Sequence, residues 1–280
     1  MSVNEIIGGP YPGYESDSPD FSNLQQSGLR AANLVTTLLR AVIDATGLSR
    51  RKAFAAIRAG NLTVNSIVRT DPSEPYTDGD LRLEGVALTA TQAEKTYLLL
   101  NKPPGFITTK SDDLGRRTVF DLVSADLRVP GLHPIGRLDR DTSGLLLLTN
   151  DGDLTFVLTH PSHEVEKEYW LLLQAPLKED QLAMLRSGIE LDGAVRRPLR
   201  IRRLVSSGQF ELGMTIREGR RRQVRRMLLA VGAEVVLLRR VREGALLLGN
   251  LPEGAVRPLT PEEISALFSE AKNAPPPPSS

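Results

Sequence analysis

The nine residues GRLDRDTSG at 136–144 bring Arg137, Asp139, Arg140 and Asp141 together between two glycines. Four leucines follow at 145–148, and then Thr149-Asn150-Asp151-Gly152. Glycines bounding charged residues mark a loop, and an unbroken leucine run marks a buried strand. A carboxylate on a loop anchored by a rigid apolar strand is placed for nucleophilic or acid–base chemistry, although a solvated turn before a core strand has the same pattern. Three other segments carry chemistry-bearing side chains: Asn101-Lys102-Pro103-Pro104-Gly105, a rigid basic turn; Lys167-Glu168-Tyr169, a strand start; and EGRRRQVRRML at 218–228. Each has a plain structural reading alone. Their joint occurrence in one chain is harder to explain that way.

Composition removes several classes of chemistry. The 280 residues contain no cysteine, which excludes disulfides, thiolate metal sites and a cysteine nucleophile. Only His133, His160 and His163 supply imidazole, and the carboxylates show no metal-ligand spacing, so no metal is expected. No signal peptide and no run of about 20 apolar residues is present, which predicts a cytoplasmic protein without membrane attachment. Net charge is only +1, yet arginine clusters at 217–226 and 196–203. Arginine's planar fork suits phosphate, so these local patches point to an RNA or DNA partner met along one face.

The elements that must position these residues divide the chain. Residues 1–30 are rich in Gly, Pro, Ser and Asp and predict a disordered arm; 269–280, ending in APPPPSS, predict a Pro-rich tail. Residues 31–88 predict a compact unit. Leu34, Leu38, Leu39 and Val42 recur at helical spacing and Gly47 closes that helix. Ser49 is suited to cap a second helix with an Ala53, Phe54, Ile57 stripe, ending at Gly60. Strands are expected at 62–64 and, after the Asp78-Gly79 turn, at 81–83. Arg50, Arg51, Lys52 and Arg58 sit on or beside the second helix. Three consecutive cations at a helix N-terminus oppose its dipole, an arrangement that polyanion contacts would compensate.

Residues 93–268 predict a larger α+β domain with a mixed, mainly antiparallel sheet and no regular βαβ rhythm. Strands are expected at 97–100, 145–149 and 169–173, and near 235–238 and 245–248. Phe210, Leu212, Met214 and Ile216 alternate with polar or small residues, as in a strand buried on one face. Asp153 is suited to cap a helix reaching Thr159, and a basic helix is expected from Arg221 to Val231. Lys95-Thr96-Tyr97 and Lys167-Glu168-Tyr169-Trp170, each followed by three leucines, look like two strands of similar edge chemistry, although two related halves of one sheet would give the same echo.

Across residues 34–265 these segments together resemble the pseudouridine synthases, in particular the RsuA/RluB branch acting on ribosomal RNA. The stretch LLRAVIDATGLSRRKAFAAIRAGNLTVN looks like the S4-type (alpha-L) RNA-binding domain of that branch, with Asn65-Ser66 where the motif often has Asn-Gly. The resemblance implies a fold of a small S4-like domain followed by the catalytic domain. It implies that a uracil is detached from C1′, rotated and rejoined through C5, a reaction without a redox step or added group and so without a cofactor. It assigns catalysis to Asp139, by attack on C1′, attack on the base, or promotion of a glycal; Asp141 would be solvated or RNA-facing. It implies Arg225 as the cation that holds and orients Asp139, and Tyr169 as the residue that packs on the base and is suited to take the C5 proton. Arg137, Lys102, Arg220, Arg221 and Arg222 would contact phosphates, as would Arg50, Arg51, Lys52 and Arg58. The partner would be ribosomal RNA or a ribosome-assembly intermediate, of the large subunit by preference, met by a monomer. The other reading is a non-catalytic rRNA-binding assembly factor, against which the joint presence of Asp139, Tyr169 and Arg225 counts. A carboxylate hydrolase lacks a suitable second acid.

Overall fold

A computed structural model describes residues 36–88, 94–205 and 208–272. They fall into two compact units, one within residues 13–95 and the other beginning at Thr96. Leu34, the expected N-terminal arm and the Pro-rich end lie outside the described residues.

The first unit contains β1 (Thr36–Thr37), α1 (Leu38–Thr46), α2 (Arg50–Arg58), β2 (Leu62–Val64), β3 (Ile67–Arg69), β4 (Pro75–Tyr76), β5 (Leu81–Leu83) and β6 (Val86–Ala87). Thr37 caps α1 and Gly47 ends it in the left-handed conformation; Ser49 accepts from the Lys52 amide at the start of α2. Leu38, Leu39 and Val42 of α1 share a core with Ala53 and Ile57 of α2 and with Leu62, Val64 and Leu81 of the antiparallel sheet β3-β2-β5-β6. Phe54 departs from expectation. Ala53 and Ile57 define the buried stripe, and a residue turned about 100° from Ala53 falls beside it, so Phe54 is half exposed. Asn65 and Ser66, both at positive φ (51° and 66°), make the two-residue turn from β2 to β3. The Asn65 Oδ1 accepts from the Asp80 amide at 2.8 Å, a local bond that supports this backbone without glycine.

The second unit contains β7 (Tyr97–Lys102), β8 (His133–Ile135), β9 (Ser143–Thr149), α3 (Gly152–Thr159), β10 (Lys167–Leu173), α4 (Glu179–Ser187), β11 (Ile189–Leu191), β12 (Ala194–Arg196), β13 (Arg200–Arg203), β14 (Leu212–Ile216), α5 (Gln223–Ala230), β15 (Val235–Glu243), β16 (Leu246–Leu247), β17 (Val256–Pro258) and α6 (Pro261–Lys272). The sheet runs β13-β14-β10-β15-β9-β7-β17, with β16 beside β15 and β8 beside β9. Only its central pair, β15 with β9, is parallel. This is the expected α+β class, and the two strands of similar sequence, β7 and β10, flank that pair from opposite sides.

Both faces of β9 are covered. Leu146 and Leu148 enter the core that holds Val224, Met227 and Leu228 of α5, while Leu145 and Leu147 enter a second core with Leu154 and Leu158 of α3 and Leu267 of α6. A strand buried on both faces reads as a continuous apolar run, hence the four leucines.

Several expectations need correction. β14 is buried on both faces because the Arg202 stem and Leu204 cover Gly213, each at 3.2 Å from where a Cβ would stand. Asp151, not Asp153, caps α3 by accepting from the Asp153 amide at 2.9 Å. The strand expected at 235–238 continues to Glu243, its charged residues included. α5 starts at Gln223, because Arg222 adopts φ 50°, outside the helix. α6 carries helix to Lys272, past the expected start of the tail at 269. No helix among the described residues is long and apolar enough to cross a membrane.

Candidate active site

The loop between β8 and β9 is tied down from several directions. A turn bond runs from the Thr142 amide to the Asp139 carbonyl at 3.1 Å, and the Gly105 amide donates to the Arg140 carbonyl at 2.7 Å. The Thr108 hydroxyl donates to the Leu138 carbonyl at 2.8 Å, and the Leu138 side chain is buried. Under the loop lies Lys102, which is fully buried. Its Nζ donates to the carbonyls of Thr142 (2.8 Å), Pro103 (3.0 Å) and Asp139 (3.2 Å), with Arg140 at 3.4 Å. Burial pulls its pKa down to about 8, although Asp141, Asp139 and Glu253 act the other way. Lys102 is therefore a buried brace for the loop and not the expected phosphate contact.

Gly144 lets the loop meet the sheet. It pairs with Arg240 across the β15–β9 junction, where a Cβ would stand 2.2 Å from the Arg240 carbonyl oxygen, and its φ is +104°. Only glycine accommodates both conditions.

The two aspartates of the loop have different surroundings. Asp139 is partly buried, and its carboxylate has no hydrogen-bond or ion-pair partner among the described residues. Its charge is nonetheless felt by Lys102, Arg222, Arg225 and Tyr169. Asp141 is clamped. Arg222 reaches both its oxygens, at 3.1 and 3.2 Å, and Arg225 Nη2 lies 3.3 Å from Oδ2. Partial burial would raise the Asp141 pKa, but the Arg222 hydrogen bond and the two guanidinium charges outweigh it and hold the carboxyl below its usual value. Arg225 thus pairs with Asp141 rather than Asp139. Its Nη1 is fixed on the Val235 carbonyl at 2.9 Å, and its Nη2 also donates to the Asp141 carbonyl at 3.1 Å. Asp141 is half exposed, as expected of a solvated residue, and its carboxylate also joins the loop to Arg222 and to Arg225 of α5.

Asp139 lines an open cleft of about 1850 Å³. Tyr169, Arg137 and the segment 217–222 line the same cleft, as do Arg240 and Glu243. That volume exceeds the roughly 300–1,000 Å³ typical of small-molecule pockets and suits a polymer better. Tyr169 is almost wholly buried, which raises its pKa; Glu243 and Asp139 raise it further, while the charge of Arg240 and its hydrogen bond oppose the rise. The phenol therefore keeps its proton near neutrality and presents a ring and an O–H donor; a proton-accepting role requires ionisation that this environment resists. Of the expected phosphate contacts, Arg137 and Arg221 are exposed and without an ion pair among the described residues. Arg220 contacts Glu218 at 3.2 Å and Arg222 is taken up by Asp141. On α2, Arg50, Arg51, Lys52 and Arg58 are exposed and likewise have no ion pair there. Among the described residues no three His, Asp or Glu side chains gather as ligands for a metal ion.

Sequence reading did not single out Arg240 and Glu243, buried charges on β15. The available signal was the run RRVRE, charged yet continuous with an apolar strand.

The structure thus brings a carboxylate on a braced loop and a buried tyrosine to one arginine-lined cleft on a mixed sheet. The family model described as RNA pseudouridylate synthase matches residues 96–230. The ribosomal large subunit pseudouridine synthase B of Bacillus subtilis is 39% identical over 244 residues, covering 84% of this chain and 98% of the relative. The ribosomal small subunit pseudouridine synthase A of Haemophilus influenzae is 36% identical over 228 residues, covering 81% and 97%. A crystal structure of a pseudouridylate synthase superposes with a TM-score of 0.58 at 34% identity, covering 82% of this chain and 99% of that one. The chain belongs to the pseudouridine synthase family and is an RNA isomerase of that type.

Proposed function

We propose that the protein converts a uridine of ribosomal RNA to pseudouridine, with Asp139 as the catalytic carboxylate. The observation that carries this reading is the position of Asp139: an unpaired carboxylate in the lining of an arginine-rich cleft, on a loop whose carbonyls are held by Lys102 and whose Asp141 is clamped by Arg222 and by Arg225 of α5. Fixing the loop rather than the acid leaves the carboxylate free for the substrate. In the reaction the N1–C1′ bond breaks, the C5–C1′ bond forms, and the proton leaving C5 is balanced by one gained at N1. Attack on C1′, attack on the base and the glycal route all require the carboxylate beside the target nucleotide. Tyr169 packs against the uracil, which must leave its stack to enter the cleft; unpaired or loop RNA lowers that cost. Arg137 and Arg221 meet phosphates. The unit around α1 and α2 is read as an S4-like RNA-binding domain gripping the same RNA through Arg50, Arg51, Lys52 and Arg58.

Large-subunit rRNA is favoured over small-subunit rRNA, in keeping with the somewhat higher identity to the relative named for the large subunit. Mapping pseudouridines in rRNA from cells lacking the protein tests this. One modification in large-subunit rRNA should disappear. Loss from the small subunit would reassign the target, and an unchanged map of both would remove rRNA as the substrate.

A further inference from the structure

Among the buried charges of the second unit, Arg240 and Glu243 stand apart because both line the cleft while being only 2% and 1% exposed. Arg240 Nη2 lies 3.1 Å from Glu243 Oε2, and Lys167 Nζ lies 3.7 Å from Glu243 Oε1. Arg240 also ties two strands together, its Nε donating to the Leu145 carbonyl at 2.8 Å, directly after the loop of Asp139. Its backbone is the surface on which Gly144 rests. On the neighbouring strand, Tyr169 pairs with Arg240 and Lys167 with Glu243, so the four side chains belong to one patch of β10 and β15. A carboxylate taken out of water is costly, and apolar side chains would join two strands without that penalty. An acid retained at this depth, against the tyrosine of the cleft, needs a reason beyond cohesion.

We propose that Glu243 is a positioning residue of the active site: by holding the Arg240 guanidinium from one side, it fixes the hydroxyl and ring of Tyr169 beside the place that the target uracil occupies. This deepens the reading given above and rests on Tyr169 serving the reaction. Glu243 acts through its neighbours, since its carboxylate is closed to solvent and so to RNA. It has two effects. It fixes the direction of the Arg240 side chain, whose other anchor is on β9, so that Tyr169 and the Asp139 loop are referred to one buried cation. It also offsets the positive charge of Arg240 and Lys167, which adds to the effect of burial in keeping the phenol protonated. The charges that reach Tyr169 are Arg240 and Glu243 on β15 and Asp139 on the loop, with Lys167 on its own strand and the uncharged Met214 opposite on β14. Neutralising Glu243 therefore leaves Arg240 as the stronger influence and draws the phenol ionisation downward.

The test is a double-mutant cycle in the full-length protein, with turnover and KM measured on an rRNA fragment that wild type modifies. Glu243→Gln should lower kcat by at least about tenfold with KM changed less than about twofold, because the side chain does not touch RNA. Tyr169→Phe should lower kcat as well, and adding Glu243→Gln to it should cause little further loss. The phenolate absorbance that Tyr169→Phe removes should appear at lower pH in Glu243→Gln than in wild type. Should Glu243→Gln not fold, Arg240→Met with Glu243→Met replaces the pair by apolar side chains of similar length; a folded protein of that kind should bind RNA and turn over slowly. Wild-type kcat in either variant, or losses from Tyr169→Phe and Glu243→Gln that multiply, would overturn the role of Glu243 and leave that of Asp139 standing. Wild-type kcat in Tyr169→Phe alone would instead overturn the assignment of Tyr169.

Discussion

An ammonium buried without a carboxylate in direct contact persists only if its donors find other acceptors, and Lys102 finds the carbonyls of the loop that carries Asp139. Its proton is held weakly, at about 8 instead of 10.5, chiefly through burial. The two consequences for pH have opposite signs. Between about pH 8 and 10.5 the unfolded chain retains a proton that the folded protein has released, so this group's contribution to stability rises with pH. Over the same window the neutral amine offers two donors where the ammonium offered three, and the loop loosens. Turnover should accordingly decline above about pH 8 while the melting temperature does not fall in step. Activity that stays flat to pH 10, or that falls only with unfolding, would remove Lys102 from this role. Residue types alone did not disclose it. A lysine in a basic turn suggests phosphate contact, and only the backbone path of β7 and the loop shows that carbonyls surround it. Asp139 and Asp141 present the same difficulty: they are two positions apart and chemically identical, and their difference lies in where Arg222 and Arg225 reach. By contrast, the loop itself was legible, because charged residues between glycines stand beside an apolar strand, whereas Tyr169 was singled out by the family resemblance.

At the scale of elements, the site depends on how closely β15 approaches the start of β9. A methyl group at position 144 would meet the Arg240 carbonyl and would also require a left-handed backbone. Gly144→Ala should destabilise the second unit by at least about 3 kcal/mol, measurable by thermal or denaturant unfolding. A loss below about 1 kcal/mol would show that the strands separate easily and that the loop is less rigidly referred to β15. Helix and strand positions were largely readable from periodicity: α1 and α2 from their apolar stripes, and β7, β9 and β10 from their leucine runs. Three details were not. β15 continues through charges that lie beyond the strand expected at 235–238, and two of them, Arg240 and Glu243, are buried as an ion pair within the sheet. β14 has small and polar alternate residues, yet Arg202 covers them from the next strand. α5 begins two residues later than its basic pattern suggests, because Arg222 turns away to clamp Asp141. Each depends on contact with a segment distant in sequence.

For the whole molecule, a near-neutral chain is expected to bind a polyanion through local patches. The four cations of α2 lie in one unit and the arginines of the cleft in the other. Replacing Arg50, Arg51, Lys52 and Arg58 together by Gln should weaken rRNA binding and reduce the slope of log affinity against log salt by up to about 3, at about 0.7 for each phosphate no longer neutralised. Turnover at saturating RNA should stay near wild type, because the catalytic unit is untouched. An unchanged slope would show that this helix is not an RNA anchor. The most direct measurement concerns the loop on which Asp139 stands. Asp139→Asn keeps the size of the side chain and removes the carboxylate, so pseudouridine formed in rRNA should fall to background while RNA affinity and melting temperature stay close to wild type. Pseudouridine formed at the wild-type rate by Asp139→Asn would contradict the assignment of catalysis to Asp139.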